Sequence, residues 1–362
     1  MSDINENVLV PVSISLLYDG MVVQDDIYDA DGDRLLITSG NKLDAEQIER
    51  IRNLNSHRST IYVTGRTHKN MLSKRPVVDI ERRTEVEKES GYEDVKDSTL
   101  ELLEEIAKEK VVDQQSLQDV SQELSNRLKT TPPTTIVSLI NAMAPIDEYL
   151  QRHSVNVSLL NGLIGRWMGL PTDDVDRLVL IGLLHDCGKT QLPPSILNAP
   201  RKLTGVEFEV VKMHAVYTYD LLSEFPENVR LAASSHHERI DGSGYPKHLT
   251  NDITLESRIT AVSDVYDAMV SQRAYKSPQS PFSIMALLNK LSGIELDVDV
   301  TRAFTENMPK ELMNKPVKMS DGMIGIVLDF DPEDIEYPMV EHSGNPKKTS
   351  KDLYCVSMYS DD

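Results

Sequence analysis

A histidine and an aspartate stand side by side at the end of an apolar run, and this pair constrains the fold more than any other feature. His185 and Asp186 follow the run Leu178 to Leu184, which has the pattern of a buried helical segment. Two polar side chains at a buried helix end are costly to remove from water unless something compensates them. A metal ion would supply that compensation, so we expect helices that surround a metal cluster.

Further candidate ligands occur in the same part of the chain. Five of the nine histidines lie between residues 153 and 237, and the aspartates Asp186 and Asp264 accompany them. One histidine alone is more often a packed core or surface residue than a ligand, but five together favour a shared site. Imidazole and carboxylate ligands without thiolate suit octahedral Fe or Mn better than a tetrahedral structural zinc.

The doublet also predicts a chemistry. An aspartate at this place could bridge two metal ions about 3.5–4 Å apart, an arrangement that activates water and clamps a phosphoryl group. Lys189 follows Asp186 by about one helical turn and is placed to neutralise a phosphate oxygen. Cys187 lies inside the same segment and is interpreted as a small packing residue rather than a ligand.

Composition excludes several classes of function. The formal net charge of −20 argues against a nucleic-acid polymer as partner, because a general basic surface is missing. Two cysteines, Cys187 and Cys355, form no disulfide framework and suit a reducing compartment. The N-terminus has no signal-peptide pattern, and no apolar stretch approaches the ~20 residues of a membrane span. We therefore expect a cytoplasmic protein without a membrane partner.

Hydrophobic periodicity divides the chain into four regions and predicts a mainly α fold. Residues 1–66 read as a small β-rich module, with a hairpin turn at Asp31-Gly32. Residues 67–133 read as a charged helical linker that ends at two prolines. Residues 134–310 have helical periodicity throughout, and residues 311–362 return to strands with a turn at Asp321-Gly322.

Individual helices are signalled by caps and apolar stripes. Thr204 with Glu207 forms a capping-box pattern, Ser280-Pro281 predicts a helix start, and Thr172 is a candidate cap. The predicted helices of the main region are 135–144, 147–169, 173–186, 205–224, 227–238, 255–271 and 281–291. In the linker, one helix face carries an apolar stripe that favours packing within the chain over a dimer seam: Leu117, Val120, Leu124 and Leu128.

Together these residues resemble the HD-GYP subgroup of the HD phosphohydrolase superfamily, over about residues 145–310. The HD pair is His185-Asp186, in the fuller form HDCGK. The second motif is present as His236, His237, Glu238, Asp241, Gly242, Ser243, Gly244, Tyr245 and Pro246. The third is present as Asp264, Asp267, Ala268, Met269, Arg273, Tyr275 and Lys276. The resemblance implies a helical HD-type metallohydrolase domain, with the N-terminal module and a short β extension on either side.

The same resemblance implies a phosphodiesterase that hydrolyses the bacterial second messenger cyclic di-GMP to pGpG and then to GMP. Asp186 and Lys189 would act in catalysis, and the phosphate-contacting residues would be Lys189, Arg273 and Lys276. Tyr245 would line the mouth of the site. Carried over by motif, the metal ligands would be His153, His185, Asp186, His214, His236, His237 and Asp264.

Two departures from the family pattern concern the turn after the third motif and the metal count. Ala274 stands where the family usually has Pro, which leaves the cations on either side in place. Some members hold a third metal with a Glu four residues before the first histidine, and here that position is Tyr149. Glu148 is poorly aimed, because only positions three and four residues away share a helix face. We therefore expect two divalent ions, Fe or Mn.

Three alternatives stay open from the sequence. The same cluster could act on cyclic GMP-AMP or on linear dinucleotides. The domain could instead bind nucleotide as a sensor without turnover. A homodimer formed through residues 67–130 or through the N-terminal module is a further possibility that the sequence does not decide.

Overall fold

Helices dominate the chain, with small antiparallel sheets before and after them. The computed structural model describes residues 10–13, 22–23, 26–28, 35–53, 60–64, 92–141, 149–197, 199, 201–271 and 279–359. These residues form twelve α-helices and ten β-strands. The mainly α fold class predicted from the sequence is thereby confirmed. None of the described helices is both long and apolar enough to cross a membrane.

The described residues of the N-terminal module form five short strands and one helix. The elements are β1 (Val10–Ser13), β2 (Val22–Val23), β3 (Ile27–Tyr28), β4 (Leu35–Ile37), α1 (Ala45–Asn53) and β5 (Thr60–Thr64). Three strands form an antiparallel sheet in the order β1-β5-β2, and β3 pairs with β4. The predicted turn at Asp31-Gly32 lies outside the described residues.

Eleven of the described helices follow this module. They are α2 (Tyr92–Glu109), α3 (Gln114–Thr130), α4 (Pro133–Ile140), α5 (Tyr149–Trp167), α6 (Thr172–Leu184), α7 (Pro194–Leu197), α8 (Gly205–Leu221), α9 (Glu227–Ser234), α10 (Leu255–Val270), α11 (Pro281–Leu291) and α12 (Val298–Glu311). A short 3-10 segment, Cys187–Gln191, lies between α6 and α7. All seven helices predicted for the main region are present, and α7 and α12 are additional.

Local signals explain where most of these helices begin. Thr204 and Glu207 form the predicted capping box at α8, and the side chain of Ser280 accepts a hydrogen bond from the Phe282 amide at the start of α11. The predicted cap at Thr172 is wrong. Pro171 occupies the cap position of α6 without a side-chain hydrogen bond, since Thr172 is already helical.

Several helices end earlier than predicted, and at two of them the difference shapes the site. The helix predicted over 173–186 ends at Leu184, and the one predicted over 227–238 ends at Ser234. The doublets His185-Asp186 and His236-His237 therefore each lie just beyond a helix, where the backbone is free to turn. Adjacent side chains can then face one site, which a continuing helix would not permit.

The helices of the predicted linker share the hydrophobic core of the main region. Leu117, Leu124 and Leu128 on α3 and Ile106 on α2 are almost completely buried in one cluster with the residues of α5 and α6. The apolar stripe of α3 is therefore occupied within the chain, as predicted. The domain boundaries at residues 66, 133 and 310 stay predictions.

The C-terminal strands form a five-stranded antiparallel sheet in the order β10-β6-β7-β8-β9. Its strands are β6 (Pro316–Met319), β7 (Ile324–Asp329), β8 (Met339–His342), β9 (Asn345–Lys348) and β10 (Cys355–Met358). The predicted turn at Asp321-Gly322 joins β6 and β7, with Gly322 at φ 82°. A positive φ favours glycine, which explains the residue at this turn.

Candidate metal centre

Helix ends from several parts of the chain converge on one buried group of histidines and aspartates. His153 lies on α5, His185 and Asp186 follow α6, His214 lies on α8, His236 and His237 follow α9, and Asp264 lies on α10. All seven predicted ligands are brought together. Six of them are buried and His237 is partly exposed, so the group sits inside the helical core with one side open.

Asp186 occupies the middle of this group. Its Oδ2 atom lies 3.3 Å from the Nε2 atoms of both His153 and His185. Its Oδ1 atom lies 3.4 Å from His214 Nε2 and 3.8 Å from His236 Nε2. The two oxygens of one carboxylate thus face two different sets of histidines, which is the arrangement that a bridging carboxylate requires.

The candidate ligands separate into two clusters around this aspartate. The mixed cluster consists of His153, His185 and Asp264, and the histidine cluster consists of Asp186, His214, His236 and His237. Within each cluster the candidate ligand atoms lie within 4.8 Å of one another. In the mixed cluster, His153 Nε2 is 3.2 Å from Asp264 Oδ1 and 3.2 Å from His185 Nε2.

Four histidines are held by the ring nitrogen that points away from the site. The Nδ1 atoms of His185, His214 and His236 donate to the carbonyl oxygens of Gly182, Val211 and Ala233 at 2.6–2.7 Å. His153 Nδ1 donates instead to the carboxylate of Asp267 at 2.7 Å. An imidazole that donates from Nδ1 presents a lone pair at Nε2, so all four rings direct Nε2 toward the centre.

Three buried atoms at the centre have no hydrogen-bond partner among the residues that the structure describes. They are Asp186 Oδ1, His214 Nε2 and His236 Nε2, all facing one another in the histidine cluster. Buried polar atoms are almost always satisfied, and each exception needs an explanation. A cation between these three acceptors would satisfy them together, so the residues present fit a metal ion.

Burial and charge tune the protonation of these groups toward metal binding. Burial lowers the pKa of His236 to about 3, and it lowers the pKa values of His214 and His237 as well. Burial alone would raise the pKa of Asp186, but Lys189 and His185 outweigh it and hold that pKa well below its usual range. The rings are therefore neutral and the carboxylate charged at neutral pH, which is the state that ligands need.

The 3-10 segment after Asp186 fixes the HD doublet against α8. Thr218 on α8 donates from its hydroxyl to His185 O at 3.1 Å and accepts from the Gly188 amide at 3.0 Å. A Cβ atom at position 188 would lie 2.1 Å from the carbonyl oxygen of His214, so only glycine permits this approach. The same segment carries Lys189, whose ammonium group forms an ion pair with Asp186 Oδ2.

A loop with well-defined anchors places Tyr245 beside the histidine cluster. The Tyr245 ring stacks on His237 with 4.5 Å between ring centroids. The buried carboxylate of Glu238 accepts from the amides of Lys247 at 2.6 Å and Leu249 at 2.9 Å, which ties the loop to the end of α9. Burial raises the pKa of the Tyr245 phenol, so it remains protonated.

Some of the remaining predicted site residues are described by the structure and others are not. Glu148, Arg273, Ala274 and Lys276 lie outside the described residues. Tyr149, which stands at the third-metal position, is the first residue of α5. The thiol of Cys187 is buried, which raises its pKa to about 12, in keeping with a packing residue. Sequence reasoning quoted Asp267 as part of a motif but gave it no role, whereas the structure places it directly behind His153.

Comparisons with known proteins identify the fold around this centre. Residues 138–300 match the HD domain family model. The chain therefore carries an HD domain. It spans about half the length of the curated relatives that it matches. A cyclic di-GMP phosphodiesterase of Pseudomonas aeruginosa is 36% identical over 201 residues, which are 54% of this chain and 48% of that protein.

Two further relatives are named for different cyclic dinucleotides. A cyclic di-GMP phosphodiesterase of Thermotoga maritima is 35% identical over 49% of this chain and 50% of that protein. A 3'3'-cGAMP-specific phosphodiesterase of Vibrio cholerae is 33% identical over 50% of this chain and 35% of that protein. The HD-GYP resemblance predicted from the motifs is confirmed by these matches.

A solved structure supports the fold. An HDG"Y"P protein from Bdellovibrio bacteriovorus superposes with a TM-score of 0.51 at 14% sequence identity, covering 83% of this chain and 100% of that chain. At this identity the likeness concerns the fold alone. It extends beyond the HD domain itself, in agreement with the core that α2 and α3 share with the later helices.

Proposed function

We propose that this chain is a metal-dependent phosphodiesterase that hydrolyses cyclic di-GMP to pGpG and then to GMP. The observation that carries the proposal is the central position of Asp186, whose two oxygens face two separate sets of histidine nitrogens 3.3–3.8 Å away. Such a carboxylate can be shared by two metal ions. The names of relatives from Pseudomonas and Thermotoga support the choice of substrate.

The proposed cofactors are two divalent ions, Fe or Mn, because the ligand set is imidazole and carboxylate without thiolate. When bound, they would lower the pKa of a water molecule and stabilise the charge on the phosphoryl oxygens. The ligands would be His153, His185, Asp186, His214, His236, His237 and Asp264. The lowered pKa values of His214, His236 and His237 and of Asp186 leave these side chains ready to accept a cation.

The residues proposed to hold the substrate are basic or aromatic, in a protein whose net charge is −20. Lys189 lies next to Asp186 and would exchange part of that ion pair for a phosphate oxygen once cations neutralise the carboxylate. Tyr245 presents a partly exposed ring at the open side of the histidine cluster. Arg273 and Lys276 are proposed as further phosphate contacts on the strength of the motif alone.

The experiment is a turnover assay on protein purified without chelator, with its metal content measured in parallel. We expect about two Fe or Mn per chain, hydrolysis of cyclic di-GMP, and early accumulation of pGpG with slower formation of GMP. Chromatography of the products at successive times measures both steps. A metal-replete preparation that binds cyclic di-GMP without hydrolysing it would contradict the proposal and support a sensor.

A second candidate substrate is 3'3'-cGAMP, since a relative from Vibrio cholerae at 33% identity is named for it. It has the same phosphodiester ring with one guanine replaced by adenine, so the metal centre would act on both substrates alike. The ratio of kcat/KM for the two substrates, measured on one preparation, decides between them. We expect cyclic di-GMP to be preferred.

A further inference from the structure

A buried chain of hydrogen bonds leads from the first helix of the predicted linker to one candidate metal ligand. The hydroxyl of Tyr92 donates to Asn156 Oδ1 at 2.6 Å. Asn156 Nδ2 donates to Asp267 Oδ1 at 2.7 Å. The other carboxylate oxygen of Asp267 accepts from His153 Nδ1 at 2.7 Å. Each of these four side chains is almost completely buried.

The first of these hydrogen-bonded residues lies outside the HD domain. Tyr92 is the first residue of α2, whereas the HD domain match covers residues 138–300. Asn156 and His153 lie on α5 and Asp267 lies on α10, so the four side chains join three helices that are distant in sequence.

Other contacts hold α2 in place at both ends. The Arg152 guanidinium lies over the Tyr92 ring at 5.0 Å and 3.6 Å from the carboxylate of Glu93. Farther along α2, the carbonyl oxygen of Ile106 accepts from Gln191 in the 3-10 segment that follows the HD doublet, at 3.5 Å. Helix α2 therefore contacts the neighbours of His153 and the segment after Asp186.

The hydroxyl of Tyr92 matters because its partner Asn156 is almost completely buried. Without it, Asn156 Oδ1 would remain buried without that donor, a state that costs about 1–3 kcal/mol. The amide would then gain by rotating toward another donor, and its hydrogen bond to Asp267 would weaken. Asp267 aims the ring of His153 and raises the basicity of its Nε2 atom, as carboxylates behind metal-bound histidines do.

We propose that Tyr92 is a positioning residue for His153 and thereby sets the metal affinity of the mixed cluster. The proposal rests on the metal-dependent function proposed above. It assigns a role in the centre to a helix upstream of the HD domain. Tyr92 acts through Asn156 and Asp267, and it contacts neither metal nor substrate.

The test compares Tyr92→Phe with Tyr266→Phe. Both substitutions remove one buried phenol that donates to an asparagine oxygen, since Tyr266 donates to Asn141 Oδ1 at 2.8 Å. Only Tyr92 is connected to His153 by the hydrogen bonds above. Manganese affinity is measured on the metal-free proteins by competition with a chelator, together with kcat, KM and the melting temperature of each metal-free variant.

We expect Tyr92→Phe to weaken binding of manganese by about 3- to 10-fold, in line with one lost buried hydrogen bond. It should lower kcat at limiting metal and leave KM unchanged, because no substrate contact is touched. Tyr266→Phe should lower the melting temperature about as much as Tyr92→Phe does, and it should leave manganese affinity unchanged. Equal losses of affinity in both variants would overturn the proposal, as would unchanged affinity in Tyr92→Phe.

A double-mutant cycle keeps the proposal testable if Tyr92→Phe proves poorly stable. Asn156→Ala already removes the hydrogen bonds between Tyr92 and Asp267. Adding Tyr92→Phe should therefore cost no further manganese affinity. Additive losses would overturn the proposal. Failure of the unmodified protein to bind manganese or iron at all would instead contradict the proposed metal-dependent function, so the two failures are distinguishable.

Discussion

The two ligand clusters around Asp186 are built differently. In the mixed cluster, the Nε2 atoms of His153 and His185 already lie 3.3 Å from Asp186 Oδ2, and a carboxylate supports His153 from behind. In the histidine cluster, the facing atoms of Asp186, His214 and His236 lack hydrogen-bond partners within the described part of the chain, and backbone carbonyls support both rings.

This contrast indicates how each cluster is stabilised before metal arrives. The negative charge of Asp264 lies in the mixed cluster, 3.2 Å from His153 Nε2. Lys189 pairs instead with Asp186, whose carboxylate faces both clusters. The histidine cluster consists mainly of neutral rings whose burial is uncompensated within the described residues, so a cation there would contribute directly to folding stability. We expect the two ions to differ in affinity and in their effect on stability.

The largest effect is expected for Asp186→Ala, which removes the carboxylate whose two oxygens face the two clusters. Turnover should fall by about a thousandfold or more, because metal ions supply several kcal/mol of transition-state stabilisation. Metal content should approach zero while the helical circular dichroism persists. Asp299→Ala is a matched control at an exposed position far along the chain on α12. Retention of both ions in the Asp186 variant would show that the clusters do not depend on a shared carboxylate.

Single-ligand variants separate the clusters from each other. Asp264→Asn affects the mixed cluster and His236→Gln affects the histidine cluster, and each should reduce metal content from about two ions to about one. Turnover should fall by about a hundredfold or more in each, since a lost ligand costs at least as much as a lost supporting partner. Paramagnetic resonance of manganese-loaded protein checks this, because a coupled pair and a single ion give different spectra. Loss of both ions in either variant would mean one inseparable centre.

The smallest effect concerns the pH dependence of stability in the metal-free protein. Burial lowers the pKa of His236 to about 3, whereas an unfolded histidine titrates near 6.5. Below pH 6.5 the unfolded chain takes up a proton that the folded chain refuses, so the free energy of unfolding falls as the pH drops from about 6.5 toward 3. The slope is at most about 1.4 kcal/mol per pH unit for this histidine.

Denaturant unfolding of chelated protein at several pH values measures this slope. His214 and His237, whose pKa values are also lowered by burial, act in the same direction. His236→Gln should show a shallower dependence than the unmodified protein. An equal slope in both would show that the histidine cluster is not the origin of the acid sensitivity.

The candidate ligands could be predicted from the sequence because they stand in motifs at helix ends. His185-Asp186 and His236-His237 are visible as doublets in the sequence. Helix caps such as Thr204 predict where a helix that carries a further ligand begins. The supporting contacts could not be predicted. Tyr92 and Asn156 are 64 residues apart, and only the packing of α2 on α5 brings them together.

The elements that sequence reasoning missed have weak local signals. Helix α12 buries threonines at some core positions and contains Pro309 near its end, which lowers its apparent helical character. Strand β9 contains Pro346 and is exposed throughout, so no alternation marks it. In both cases neighbouring elements determine the structure more than local propensity does.

The close packing of α3 on α5 affects how the protein can be divided or recombined. Leu128 fits over Gly162, where even one added methyl group would lie 2.4 Å from the leucine side chain. A truncated chain starting after Pro133 would expose this groove and the apolar surface beneath α2 and α3 to water, which favours aggregation. A chimera that joins another domain to this protein should therefore be fused ahead of Tyr92.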